Sequence, residues 1–195
     1  MGNAAKRITS IIVTILIIAI IASLFYLDFS QNKMKMKEAS NKVLTEAEKL
    51  LARDMNTNYP ETPRELAKYY SNITKLLFSG LEDDEVEALA KRALELYDDE
   101  FLNNTPEQMY LKDLYSEIAA WNKAERKITN YLLVNEDKAE RWEKDGREYA
   151  NIYVSYYTMG ESKGSQTRNY MMRKSEEGKW KILGWKYVLE EDLAK

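Results

Sequence analysis

Cysteine and histidine are both missing from the 195 residues. Without cysteine there is no disulfide framework, no thiolate nucleophile, no thiolate zinc site and no cysteine for lipid attachment. Without histidine there is no imidazole base, no Ser-His-Asp triad and no histidine-ligated metal. Carboxylate, tyrosine and lysine chemistry remains open, as do oxygen-built sites for hard cations. A strong charge of one sign is also lacking. Twenty-nine basic residues stand against 32 acidic ones, for a net charge of -3, which leaves no electrostatic footprint for nucleic acid. Neither an internal repeat nor a low-complexity segment is present.

What is there is unevenly spread. Hydrophobic residues make up 45% and charged residues 31%, enough for a packed core. The mean hydropathy of -0.57 is nevertheless that of a water-soluble protein. The difference is concentrated near the amino terminus. From Ile8 to Leu27 the chain reads ITSIIVTILIIAIIASLFYL, without a single charge. As a helix at about 1.5 Å per residue this stretch covers about 30 Å, the thickness of a bilayer's hydrocarbon core. Phe25 and Tyr26 stand where an interfacial aromatic belt belongs. The run is too long for a cleaved signal peptide, and Ile20 occupies the position two before Ala22 where cleavage needs a small residue.

The expected organisation is therefore a short cytoplasmic tail (1–7), a transmembrane helix (8–27), a polar stalk (28–38) and a soluble domain (39–195). Lys6 and Arg7 precede the span, while Lys33, Lys35, Lys37 and Lys42 follow it, so basic residues alone do not fix the orientation. A short basic tail before a first apolar segment favours a single-pass cell-membrane protein, N-terminus cytoplasmic and domain outside. The lipid bilayer is then the first expected partner.

In the soluble part, helical periodicity predicts a first helix over 38–55, broken at Asn56-Thr57-Asn58-Tyr59-Pro60. Thr62-Pro63-Arg64-Glu65 carries the signature of a capping box with proline at the first helical position, and Gly80 is the expected stop. A third helix opens on Glu82-Asp83-Asp84-Glu85 and is expected to run to Asn103-Asn104. The fourth opens with Thr105-Pro106-Glu107-Gln108 and carries the stripe Leu111, Leu114, Tyr115, Ile118 and Trp121. Past Arg126 the period shortens to two, giving strands over 128–134, 148–158, 166–174 and 179–189. Trp142 falls in a charged connection before the Asp145-Gly146 turn, with at most a short helical turn around it. The fold class expected is α+β: after the transmembrane helix, about four amphipathic helices (39–124) pack on a curved, cone-like, four-stranded antiparallel meander (126–189).

Particular residues carry two resemblances. Tyr149-Ala150-Asn151-Ile152-Tyr153-Val154-Ser155-Tyr156, a strand ending near Arg173, and Lys179-Trp180-Lys181-Ile182-Leu183-Gly184-Trp185 after a turn at Gly178 resemble the last strands of nuclear transport factor 2-like (cystatin-like) domains. That resemblance implies helices packed into the concave face of a bent sheet. The span taken with Leu51-Ala52-Arg53-Asp54, Tyr59-Pro60-Glu61-Thr62-Pro63-Arg64-Glu65, Leu96-Tyr97-Asp98-Asp99-Glu100 and Trp180 to Trp185 resembles an uncharacterised family of membrane-anchored proteins of anaerobic Gram-positive bacteria. It implies architecture and location, and no catalytic residues.

Side-chain alternation in the second predicted strand puts Ala150, Ile152, Val154 and Tyr156 on one face and Tyr149, Asn151, Tyr153, Ser155 and Tyr157 on the other. The first set is the expected core. The second is either packing with wet hydroxyls or a ligand or partner face, whose candidate residues are Tyr149, Asn151, Tyr153, Tyr157, Arg168 and Trp185. In the third strand Arg168, Tyr170 and Met172 alternate with Asn169, Met171 and Arg173, so no clean apolar face emerges. Trp180 and Trp185 fall on opposite faces unless Gly184 introduces a bulge. Asp113 and Glu117 are the carboxylates with the best claim to the interior, against the alternative that they form a polar helix face. The clusters Asp83-Asp84-Glu85 and Asp98-Asp99-Glu100 lack the alternating ligands and glycine of a calcium loop. Catalytic, metal and cofactor residues are all expected to be absent.

Three functions are consistent with these features. The first is a non-catalytic, extracytoplasmic binding or assembly module whose partners are other envelope proteins or copies of itself. The second is a small-ligand or lipid sensor with a pocket between sheet and helices. The third is an isomerase- or hydratase-type enzyme, which requires a carboxylate buried in that pocket.

Overall fold

The computed structural model describes residues 44–134, 139–161 and 163–189. The chain divides into two units, Met1–Leu44 and Thr45–Lys195, and the helices and sheet described below belong to the second. The expected tail, membrane span and stalk lie outside the described residues. Among the described residues no helix is long and apolar enough to cross a membrane.

Five helices precede the sheet: α1 (Glu46–Leu51), α2 (Pro63–Leu77), α3 (Asp83–Leu94), α4 (Asp99–Asn104) and α5 (Glu107–Lys123). Helix α1 is capped by Thr45 through a reciprocal box with Glu48 and stops at Leu51, short of the expected end. Helix α2 starts as its sequence dictates, with Thr62 accepting from the Glu65 amide and Pro63 in the first turn. The Glu65 carboxylate reaches back one residue further than in a standard box, to the amide of Glu61. The chain passes through Gly80 in a left-handed conformation at φ 88° after α2 ends. Leu66 and Ile73 on α2 are fully buried, each stabilising the fold by about 1.5–3 kcal/mol.

Two helical expectations need correction. The third predicted helix is broken after Leu94, although Leu96 and Tyr97 keep its apolar period and are buried. Its backbone is captured by the sheet edge: the Asp98 amide donates to the Ile182 carbonyl, and the Ile182 amide donates to the Leu96 carbonyl. Asp98 then caps a new short helix, α4. Thr105 ends α4 rather than capping α5, whose N-cap position is held by Pro106 without a side-chain bond.

The sheet contains β1 (Lys127–Val134), β2 (Glu140–Lys144), β3 (Arg147–Met159), β4 (Gly164–Lys174) and β5 (Trp180–Val188). It is antiparallel in the order β1-β3-β4-β5, with β2 also paired to β3. The sheet therefore has five strands, not four. The additional strand, β2, is exposed along its length and includes Trp142, where a helical turn was the alternative. Its hairpin closes through Asp145 at φ 52° and Gly146 at φ 72°, the two positive values a type I′ turn requires.

Ala150, Ile152, Val154 and Tyr156 face the helices and are buried, and their cross-strand partners Met172, Tyr170, Arg168 and Gln166 share that face. In β5, Met171 pairs with Gly184 while Met172 pairs with Ile182, leaving Leu183 as an extra residue. This bulge reverses the alternation, so Trp185, opposite Tyr170, and Trp180, opposite Lys174, both fall on the helix side.

Candidate functional site

A cleft of about 380 Å³ opens between the helices and the β4–β5 half of the sheet. Helix α2 contributes Tyr70, Thr74 and Leu77, α4 contributes Phe101, and α5 contributes Tyr110 and Leu114. The sheet contributes Arg168 and Trp185. Asp113 and Glu117 also line it, Asp113 exposed and Glu117 partly so.

Arg168 is the unusual member. Alternation along β4 places it on the core face opposite Val154, and only 3% of it is exposed. Its Nε and Nη2 atoms are buried without a hydrogen-bond partner, and no carboxylate among the described residues pairs with it. Aromatic faces take the place of a counter-ion. The guanidinium carbon lies 4.2 Å from the Trp185 ring centre, 5.3 Å from that of Tyr156 and 5.5 Å from that of Tyr187. Such contacts are worth about 0.5–2 kcal/mol each, well short of what a buried charge gives up in leaving water. Burial acts to lower the Arg168 pKa, but the oxygens of Tyr170, Tyr156 and Tyr187 outweigh it and the net shift is upward. The charge stays on.

The tyrosines around it form two hydroxyl clusters. Tyr70 and Tyr97 share a bond of 2.6 Å, while Tyr156 bonds to Ser71 at 2.9 Å and to Tyr170 at 2.8 Å. Rings reinforce the arrangement, with Tyr70 edge-on to both Tyr97 and Tyr170. Burial pushes the Tyr97, Tyr110 and Tyr170 phenols well above their ordinary value, and Tyr156 to about 12. The Tyr70 phenol is raised for the same reason. All of them remain protonated donors at neutral pH. Tyr70, Tyr110 and Arg168 all line the cleft, with the Tyr110 ring centre 6.0 Å from that of Tyr97.

The six candidate residues divide between the two faces of the sheet. Arg168 and Trp185 meet in the cleft. Tyr149, Asn151, Tyr153 and Tyr157 lie on the opposite, outer face, away from the helices. There Trp142 stacks on Tyr149 at 5.5 Å, and Leu132, Tyr157, Met159 and Met171 are exposed. Tyr70 and Tyr97 follow the apolar period of predicted helices, where a tyrosine is indistinguishable from core, and Tyr110 falls outside the stripe predicted for its helix. Their signal was only the number of tyrosines falling on inward positions.

Asp98 is the one buried carboxylate among the described residues, and it is committed elsewhere. Arg173 holds it through both Nη2 and Nε, and reaches Glu100 at 3.1 Å with Nη1. Chiefly through Asp98, the Arg173 pKa is raised. No group of three potential metal ligands occurs among the described residues. Two wider clefts, of about 590 and 660 Å³, contain no buried unpartnered side chain among the described residues.

A family model described as "Domain of unknown function (DUF6715)" matches residues 1–185. The chain belongs to that family. No curated protein matches it. The cleft residues and the two candidates on β4 and β5 all lie within the matched DUF6715 region.

Proposed function

We propose that this member of the DUF6715 family is a non-catalytic ligand-binding protein. Its α+β domain takes a small molecule into the cleft between helices and sheet, and the 8–27 segment holds the domain at the outer face of a cell membrane. One observation carries the reading: a buried, unpaired Arg168 in the wall of a cleft of about 380 Å³, which is within the size range of small-molecule sites. A residue kept at a cost to folding, in a place a ligand can reach, is accounted for by binding. Against catalysis stands the placement of the acids. Asp113 is exposed and Glu117 partly so, and Asp98 is held by Arg173. An isomerase-type reaction needs a carboxylate buried inside the cleft.

The test is a melting-temperature screen of the full-length chain against water-soluble acids, amides, amines and sugars, run beside Thr105→Trp to obstruct the cleft. Some class should raise the melting temperature of the wild type and leave the variant unmoved. No rise with any class contradicts the reading.

A second reading concerns the outer sheet face. The exposed Leu132, Tyr157, Met159 and Met171 there support docking of another envelope protein or a second copy. Retention of self-association by a Tyr157→Ala/Met171→Ala variant would rule that face out as the contact.

A further inference from the structure

Around Arg168 the cleft has donors without acceptors to match. Arg168 makes no side-chain hydrogen bond among the described residues, and its Nε and Nη2 are shut away from bulk water. Tyr70 and Tyr97 have two hydroxyl protons between them and use one in their mutual bond, so one remains to donate. Tyr110 adds another hydroxyl to the same wall, its ring centre 6.0 Å from that of Tyr97. A guanidinium fork and two phenols call for an acceptor-rich anion, met in the plane of the fork. The rest of the wall is apolar, from Leu77, Phe101, Leu114 and Trp185. Asp113 and Glu117 add negative charge to the lining, which weighs more heavily against a doubly charged phosphate than against a single negative charge.

We propose that the ligand is a small monocarboxylic acid with an apolar body, its carboxylate received by Arg168 with Tyr70 and Tyr110, and its body lying against Leu114 and Trp185. This deepens the binding function above and rests on it. Once bound, the carboxylate supplies the counter-charge and the acceptors missing at Arg168. The aromatic contacts to Arg168 hold the fork flat for it without consuming its N–H groups.

Titration calorimetry on the purified full-length chain tests this with 2-naphthoate, 2-naphthamide and 2-naphthyl phosphate, and with octanoate beside octanamide. The carboxylates should bind, with the amides at least about tenfold weaker and the phosphate weaker than the carboxylate. Arg168→Gln should lower carboxylate affinity by about 10- to 100-fold, the range of one charge-assisted hydrogen-bonded pair, and weaken the amide much less. Tyr70→Phe keeps the ring and should weaken the carboxylate by several-fold, which holds the test open if Arg168→Gln fails to fold. Amides binding as tightly as acids would overturn the carboxylate assignment and leave the cleft as a ligand site. A preference for the phosphate would overturn the monocarboxylate. If neither acid nor amide binds, the assignment falls, and the melting screen decides separately whether the cleft binds anything.

Discussion

Arg168 and Trp185 meet on the helix side of the sheet, with the guanidinium carbon 4.2 Å from the indole centre, because a bulge at Leu183 turns Trp185 to the face Arg168 already occupies. Without that extra residue the tryptophan would lie on the outer face and the arginine would lose its nearest aromatic neighbour. The contact joins a local backbone irregularity to the chemistry of the cleft.

Removing the Arg168 charge should make the protein more stable and less functional. Arg168→Met keeps the length of the side chain and removes a buried charge that has no carboxylate partner. We expect about 1–2 kcal/mol of added stability in urea unfolding, together with loss of carboxylate binding. A destabilised variant would mean that the arginine is structural.

The buried tyrosines should make the domain fail in alkali. The Tyr156 pKa moves from 10 in the unfolded chain to about 12 in the fold, chiefly through burial. Below pH 10 both states hold the proton and this stability is fully present. Between about 10 and 12 the unfolded chain releases the proton first, so stability falls as pH rises, by roughly 2–3 kcal/mol for this one residue. Tyr70, Tyr97, Tyr110 and Tyr170 shift in the same direction and steepen the loss. Unfolding followed by circular dichroism should begin near pH 10, and Tyr156→Phe should move the onset upward. A flat profile to pH 12 would contradict the burial of these phenols.

Asp98 and Arg173 tie the α3–α4 break to the sheet. Asp98 accepts from the Glu100 amide and from Arg173, and its own backbone bonds to Ile182. Asp98→Ala should cost about 3 kcal/mol, since it strands a largely buried guanidinium and removes a cap. Arg173→Met should cost about 2 kcal/mol, and the double variant less than the sum by about 1–2 kcal/mol. Additive losses would show that the pair does not act as a unit.

Membrane attachment is tested by charge. Ile15→Arg/Ile18→Arg places two charges in the middle of the apolar stretch. Each arginine there opposes insertion by about 2.5–3.5 kcal/mol. The full-length chain should sediment with membranes and resist alkaline carbonate extraction, and the doubly substituted variant should not. Equal behaviour of the two would remove the proposed anchor.

Much of the fold was legible where local chemistry and tertiary structure agree. Thr62 and Pro63 start α2, and the alternation of Ala150 to Tyr156 points the right residues inward. The failures share a cause. Strand β2 reads Glu-Arg-Trp-Glu-Lys with no buried face, so its pairing to β3 and the Asp145-Gly146 turn define it rather than any periodicity. The helical period through Leu96 and Tyr97 is real, but the edge of β5 competes for that backbone and wins. Arg168 was singled out with the wrong neighbours. A charged residue at an inward position looks like a break in the apolar face, and nothing local announces that the charge is buried.

The most direct test of the account observes the Arg168 guanidinium itself. In nitrogen-15 NMR of the full-length chain, the Arg168 Nε–Hε resonance, assigned by its loss in Arg168→Lys, should shift downfield on addition of 2-naphthoate and stay in place with 2-naphthamide. A resonance unmoved while calorimetry registers bound naphthoate would contradict the central claim that Arg168 receives the ligand.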